Sequence, residues 1–387
     1  MNHIALPGDA EPGLVRFPAD PRDRLRAWDA SDEYLLRHLD EAEVPLDRSV
    51  VVLGDRWGAL TASLAAHTAQ APTQITDSHL AQRATELNLS RLGHPAGAAR
   101  LLSSRDEPPQ RVDVLLVRVP KSLALLEDQL LRLAPAVHAG TVVVGTGMVT
   151  EIHTSTLQLF ERILGPTRTS LARRKARLIF CTPDPEVLAA APANPWPRRY
   201  PLPADAPLLA GRTVTNHAGI FSAERLDIGT RFLLEHLPET KGPARVLDLG
   251  CGNGVLGLAT ALANPQAELT FVDESFGAVA SAEATFAQNT DGRKAEFRVG
   301  DGAGGLEPGS FDLVLNNPPF HSYQASTDAT AHRMFGGALR ALRPGGELWV
   351  VGNRHLGYHV QLRRIFGNCR TVVGNPKFVV LRAVRRG

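Results

Sequence analysis

Phe311-Asp312-Leu313-Val314-Leu315-Asn316-Asn317-Pro318-Pro319-Phe320 joins an apolar β-type run to two asparagines, two prolines and an aromatic ring. A strand that meets this junction ends in a stiff turn. Each proline fixes φ at about −65° and lacks an N–H, and Pro318 pushes Asn317 towards an extended backbone. Such a turn holds an amide oxygen, a main-chain carbonyl and an aromatic face together at the carboxyl end of a strand, where open α/β sheets bind ligands. The three groups suit a flat substrate carrying an exocyclic amine. Phe320 would stack on its ring, while the Asn317 side-chain oxygen and the Pro318 carbonyl accept its N–H bonds. Because that amine is conjugated with the ring, two acceptors outside the ring plane favour a tetrahedral nitrogen able to attack an electrophile. Taken alone, the four residues read equally well as a strand-end turn with a buried phenylalanine.

The neighbours shift that balance. Upstream, Asp248-Leu249-Gly250-Cys251-Gly252-Asn253-Gly254 follows a strand-like run and opens a helical one. Glycines at 250, 252 and 254 permit positive φ and close approach of a ligand to the backbone, and the helix start supplies free N–H groups. Dinucleotide binders use a related turn, so this signal alone is weak. Asp273, at the end of the next strand, is placed to accept from two ribose hydroxyls. Asp301, after the third strand, suits an adenine amine. A lone Asp after a strand is more often a helix cap. Three such sites at successive strand ends, followed by the Asn-Pro-Pro-Phe turn, read as an adenosine-type ligand held beside an amine.

Strand and helix patterns alternate along the whole chain, which implies parallel βαβ units and an α/β fold. Helices are expected over 25–39, 59–66, 81–89 and 123–133, and strands over 49–54, 74–77, 112–119 and 140–145. Beyond a proline-rich stretch the alternation repeats. Strands are expected over 246–249, 269–272, 295–299, 311–315 and 347–351, with helices over 255–263, 278–288 and 334–342. A closing hairpin is expected over 370–383, turning at Gly374-Asn375-Pro376-Lys377. Gly54 and Gly250, Gly58 and Gly254, and Asp77 and Asp273 are each 196 residues apart, and Pro120 and Pro319 are 199 apart. An internal duplication accounts for these offsets. The copies are unequal, since Asp55-Arg56-Trp57 stands where the second has Cys251-Gly252-Asn253, and Val117-Arg118-Val119-Pro120 where it has Asn316-Asn317-Pro318-Pro319. The expected division is a polar lead-in (1–22), a degenerate domain (23–182), a linker (183–207) and a catalytic domain (208–387).

The 387 residues, 43% hydrophobic and 21% charged, describe a globular chain long enough for two domains. No run has a signal-peptide pattern or membrane-spanning length, so a cytoplasmic location is expected. Three scattered cysteines support neither a disulfide framework nor a metal cluster, and His355 and His359 could share a helix face without a third ligand. The net charge of +2 argues against a large electrostatic footprint. Local basic clusters at Arg173-Arg174-Lys175, Arg198-Arg199, Arg363-Arg364 and Arg385-Arg386 could track phosphates or simply face solvent.

The glycine turn, Asp273 and Asn317-Pro318-Pro319-Phe320 resemble the class I S-adenosylmethionine-dependent methyltransferases of the Asn-Pro-Pro-Phe/Tyr type. With the duplication, the chain is similar to the bacterial ribosomal RNA guanine-N2 methyltransferases. Ala27-Trp28-Asp29-Ala30-Ser31-Asp32-Glu33-Tyr34-Leu35-Leu36, the segment 352–359 and Phe366-Gly367-Asn368-Cys369 are similar to the large-subunit (23S) enzymes. The resemblance implies two tandem Rossmann-like class I methyltransferase domains, with a degenerate, RNA-binding N-terminal copy and an active C-terminal copy. It implies S-adenosyl-L-methionine as cofactor and methyl transfer to the exocyclic N2 of a guanine in 23S ribosomal RNA, on a base flipped out or unpaired. Asn317, Pro318, Pro319 and Phe320 would be the catalytic residues, and Asp248, Gly250, Gly252, Gly254, Asp273, Asp301 and Asn317 would hold the cofactor. It also directs attention to Gly219-Ile220-Phe221-Ser222 and Leu226-Asp227-Ile228-Gly229-Thr230, over the methionine end of the cofactor. A monomer with ribosomal RNA as partner, and neither metal nor membrane, is expected. Small-subunit (16S) guanine-N2 methylation, adenine-N6 methylation of nucleic acid, glutamine methylation of a protein and a non-catalytic RNA-binding assembly factor stand as alternatives.

Overall fold

The computed structural model describes residues 4, 6–10, 13–19, 25–319 and 324–387, with backbone only for 324–328. The chain forms two compact units, Met1–Trp196 and Pro197–Gly387.

In the first unit the elements run α1 (Ala30–Glu41), β1 (Val50–Leu53), α2 (Ala59–Leu64), β2 (Thr73–Thr76), α3 (His79–Arg91), β3 (Arg100–Ser103) and β4 (Val112–Arg118). They continue as α4 (Leu123–Leu133), β5 (Val137–Met148), α5 (Thr154–Ile163), β6 (Thr167–Thr169), β7 (Ala176–Cys181) and α6 (Pro185–Ala189). The sheet order is β3-β2-β1-β4-β5-β7-β6. The first five strands are parallel, and β7 pairs antiparallel with both β5 and β6. Every residue of β1 is buried, as expected of a central strand covered by helices on both faces.

The second unit begins with the antiparallel pair β8 (Arg198–Pro201) and β9 (Thr213–Asn216), followed by α7 (Ile228–Leu234). Then come β10 (Arg245–Leu249), α8 (Val255–Ala263), β11 (Glu268–Asp273), α9 (Phe276–Asn289), β12 (Glu296–Val299), β13 (Phe311–Asn316) and α10 (Gln324–Ala341). β14 (Leu342–Asn353), α11 (Tyr358–Phe366), β15 (Arg370–Gly374) and β16 (Phe378–Val384) complete it. Its large sheet runs β12-β11-β10-β13-β14-β16-β15, the same order as in the first unit. The strand ends that carry Leu249, Asp273, Val299 and Asn316 therefore lie side by side on one edge.

Several expected bounds move. The helix expected over 25–39 starts at Ala30, because Asp29 accepts the Ser31 N–H and Asp32 reaches back to the Asp29 N–H in a capping box. The stretch 183–207 is not bare linker: Asp184 caps α6 and Arg198–Pro201 is β8. In the lead-in, Ile4 and Leu14 are buried, and the Val15 N–H donates to Asn88 Oδ1 at 2.9 Å. The periodicity does not announce β3, α5, β6, β7, β8, β9, α6 or α11. His355 and His359 do not share a helix, since His355 lies in a 3-10 turn and α11 begins only after Gly357, at φ +64°.

Candidate active site

β10 runs into the glycine turn, which is stitched to β11 where the Gly250 and Cys251 N–H groups both donate to the Val272 carbonyl, at 2.8 and 3.0 Å. Gly254, at φ +78°, starts α8, and a Cβ there would lie 2.9 Å from the Ala282 Cβ. Only glycine satisfies both the left-handed backbone and the close helix packing. Gly252, at φ +53°, differs: a Cβ on it would meet nothing within 4 Å. Its backbone is therefore bare towards open space.

Asp273 ends β11 and fixes the turn from the other side. Its Oδ2 accepts the Gly252 N–H at 3.0 Å and its Oδ1 the Ser275 N–H at 3.0 Å. Burial raises its carboxyl above the usual range, against the pull of those backbone donors. Asp248 lies deeper, 1% exposed. Its Oδ2 accepts the Gly257 N–H of α8 at 2.8 Å, and Oδ1 has no hydrogen-bond partner among the described residues. Burial pushes its carboxyl up to about 7. Asp248 thus sits beneath the turn rather than on the wall of the cleft. Asp301 follows β12, its Oδ1 3.8 Å from Arg333 Nε on α10. Its neighbour Gly300 donates to the Asp273 carbonyl at 2.9 Å, tying the two strand ends together.

At the end of β13 the two asparagines divide the work. Asn316, fully buried, donates from Nδ2 to the Leu249 carbonyl at 2.6 Å and clamps β13 to the glycine turn. Asn317 Nδ2 donates to Thr230 Oγ1 at 2.8 Å and to Asp227 Oδ2 at 3.3 Å. Its Oδ1 is buried with no partner among the described residues. Pro318 is buried and Pro319 exposed. Phe320 lies outside the described residues.

Gly250, Gly252 and Asn253 from the turn, Asn317 just after β13, and Asp227 and Thr230 from the start of α7 line one cleft of about 380 Å³, open to solvent. Phe221, 47% exposed, stands on its rim rather than in the core. Asn253 is held from behind, donating to Asn216 Oδ1 of β9 at 3.0 Å. The Asp227 and Thr230 contacts to Asn317 span about 90 residues of chain, and no local pattern in the sequence announces them. Among the described residues no cluster of His, Cys, Asp and Glu could hold a metal, and no helix is long and apolar enough to cross a membrane.

The corresponding place in the first unit is filled. Arg118, 1% exposed, stands where the second unit has Asn317 and reaches Asp29 Oδ2 at 2.7 Å, Asp32 Oδ1 at 3.3 Å and Glu151 Oε2 at 2.9 Å. Burial pulls the guanidinium pKa down, but Asp32, Asp29 and Glu151 together outweigh it and keep Arg118 charged. Arg56, at the Gly252 position, pairs with the same Glu151 at 2.6 Å.

Residues 2–185 match the family model described as the RLMG N-terminal domain, and 211–382 match the methyltransferase small domain. The chain is 70% identical over 372 residues to a protein of Streptomyces coelicolor named ribosomal RNA large subunit methyltransferase G, covering 96% of this chain and 97% of that one. A protein of the same name from Stutzerimonas stutzeri is 48% identical over 372 residues, covering 96% of each. Among solved structures, the fold is similar to the T. thermophilus 16S rRNA N2 G1207 methyltransferase in complex with AdoMet and guanosine. That likeness has a TM-score of 0.74 at 23% identity and covers 92% of each chain.

Proposed function

The chain belongs to the ribosomal RNA large subunit methyltransferase G family, S-adenosylmethionine-dependent methyltransferases, and on that premise we propose that it methylates the exocyclic N2 of a guanine in 23S ribosomal RNA. The observation that carries the choice of an amine is the buried, unpartnered Asn317 Oδ1 on the wall of the cleft that Gly252 leaves open. A buried acceptor without a donor costs about 1–3 kcal/mol, so such an atom points to a ligand that supplies the N–H.

The residues present fit the cofactor. Gly250, Gly252 and Gly254 offer backbone at positive φ, the start of α8 offers its N–H groups, and Asp273 places a carboxylate for a ribose at the next strand end. When bound, S-adenosylmethionine supplies an electrophilic methyl carbon. Asp248 supports the turn from below, and Asp301 is assigned to the adenine side. Asn317 Oδ1 and the Pro318 carbonyl accept the two N–H bonds of the guanine amine and turn its lone pair out of conjugation, while Phe320 stacks on the base. The amine proton passes to water once nitrogen is alkylated, so no side-chain base is required. A guanine inside a helix cannot present its amine here, so the base enters flipped or unpaired.

The first unit is assigned to RNA. Glu33, Tyr34, Arg37, Arg173 and Arg174 line a surface groove between α1 and the β6–β7 connection, with Arg174 paired to Glu33 at 3.2 Å, the Arg173 guanidinium 5.3 Å from the Tyr34 ring centre and Leu171 87% exposed beside it. Cations interleaved with an aromatic ring suit a phosphate backbone and an unstacked base. The double substitution Arg173→Glu with Arg174→Glu is expected to weaken RNA binding and flatten its salt dependence by roughly two phosphate contacts. One chain carries every group assigned here, which supports a monomer, and a ribosomal RNA substrate supports action in the cytoplasm.

Transfer of labelled methyl from S-adenosylmethionine to purified 23S and 16S RNA tests the reading. Label is expected in 23S RNA alone. Label in 16S RNA alone, or in neither while the cofactor binds, would overturn the substrate assignment.

A further inference from the structure

We propose that Asp227 and Thr230 are positioning residues that lock the Asn317 amide in the one orientation that presents an acceptor to the substrate. The inference rests on the reading that Asn317 Oδ1 receives the guanine amine. An asparagine amide is nearly isosteric about its axis, yet one end accepts and the other donates two protons. Flipped, it would aim N–H at the incoming amine and repel it.

The neighbours decide the orientation. Asp227 Oδ2 lies 3.3 Å from the amide, and an ionised carboxylate can only accept, so the end facing it must be Nδ2. Thr230 Oγ1 donates to the same Asp227 Oδ2 at 3.3 Å, which leaves its lone pairs for the second Nδ2 proton at 2.8 Å. Both amide protons are thereby used and Oδ1 alone remains, buried and without a protein donor among the described residues. The holder is rigid, because Asp227 also caps α7 by accepting the Thr230 N–H at 2.8 Å.

The first unit supplies an independent observation. Asp227 and Thr230 each have a counterpart 198 residues earlier, Asp29 and Asp32, one at the cap and one in the first turn of α1. Those two carboxylates grip Arg118, the side chain at the Asn317 position. The same pair of positions therefore holds the strand-end side chain in both copies. Where that side chain is a guanidinium the holders are two carboxyl groups, and where it is an amide they are one carboxyl group and one hydroxyl.

The test is steady-state methylation of 23S RNA by the full-length protein carrying Asp227→Asn, Thr230→Val, Thr230→Ser or Asn317→Ala, with S-adenosylmethionine affinity measured for each. Asn remains a good cap, so Asp227→Asn keeps α7 while letting residue 227 donate to a flipped amide. Asp227→Asn and Thr230→Val are expected to lower kcat by about 10–100-fold, with cofactor affinity and the KM for RNA within about threefold, and Thr230→Ser to restore the rate. If Asn317→Ala abolishes transfer while Asp227→Asn and Thr230→Val remain as active as the unaltered protein, the positioning role is wrong. Cofactor affinity falling in step with kcat would also overturn it, since the pair would then act on the cofactor. Should Asp227→Asn fail to fold, the Thr230→Val and Thr230→Ser contrast decides. An active Asn317→Ala would sink the underlying reading instead.

Discussion

Arg56 occupies in the first unit the position of Gly252 in the second, and where the glycine leaves open space the arginine reaches Glu151 at 2.6 Å. Within a turn that differs at three consecutive positions, the arginine thus puts an ion pair where the second unit has a bare cradle. The fold around it is unchanged, with the same strand order and with Gly54 and Gly58 at φ +76° and +74° matching Gly250 and Gly254 at +72° and +78°.

Gly252→Arg should therefore reproduce the loss in the second unit. A non-glycine residue at φ +53° costs about 1–2 kcal/mol, which a folded unit tolerates, while the side chain fills the cleft. Cofactor affinity is expected to fall more than about 100-fold, a loss of at least about 2.7 kcal/mol, with the melting temperature lowered by only a few degrees. Equilibrium dialysis alongside thermal melting checks both; unchanged affinity would remove Gly252 from the cradle.

In the first unit, Arg118→Met should be costly. It leaves Asp29, Asp32 and Glu151 without their shared cation, and breaking a buried charge cluster by removing one partner costs about 3–5 kcal/mol. Chemical denaturation is expected to show this loss, with cofactor affinity unaltered. A loss below about 1 kcal/mol would mean that the cluster is hydrated and contributes little.

Asp248 gives the second unit a pH signature. Its carboxyl is held at about 7 in the folded chain, above the unpaired value of 3.8, so the folded state keeps a proton that the unfolded state releases. The stability this confers is fully present below about pH 4, is lost progressively as pH rises to about 7, and stays constant beyond. Asp248→Asn has no such titration and can still accept the Gly257 N–H. Relative to this variant the unaltered protein should lose stability between pH 4 and 7, by several kcal/mol at most, since each pKa unit is worth about 1.4 kcal/mol. Parallel denaturation curves across that window would show that Asp248 is ionised throughout.

The sequence was most legible where one chemical cause acts locally. Two prolines end β13 after Asn316, glycines bracket the start of α8, an unbroken apolar run marks β1, and apolar runs interrupted by a single Asp mark β4 and β10, so these elements fall within a residue or two of their expected bounds. It was least legible where partners are remote or exposure is high. β3 alternates little and is half-exposed, and β6 is three residues long, held by pairing with β7 rather than by propensity. In the site, Gly250, Gly252, Asp273 and Asn317 converge by strand order alone, which the βαβ reading carries. That Asp248 turns under the glycine loop to accept the Gly257 N–H depends on how β10 and α8 pack, and that Asp227 and Thr230 grip Asn317 depends on packing across some 90 residues; no periodicity encodes either.

The most direct measurement is mass spectrometry of nucleosides from 23S RNA incubated with S-adenosylmethionine and either the unaltered protein or Asn317→Ala. N2-methylguanosine is expected with the first, at a rate reduced about 10²–10³-fold or more with the second, because a positioned acceptor for developing charge is worth about that much. A methylated adenosine in its place, or N2-methylguanosine formed equally fast by Asn317→Ala, would contradict the assignment of Asn317 to the guanine amine.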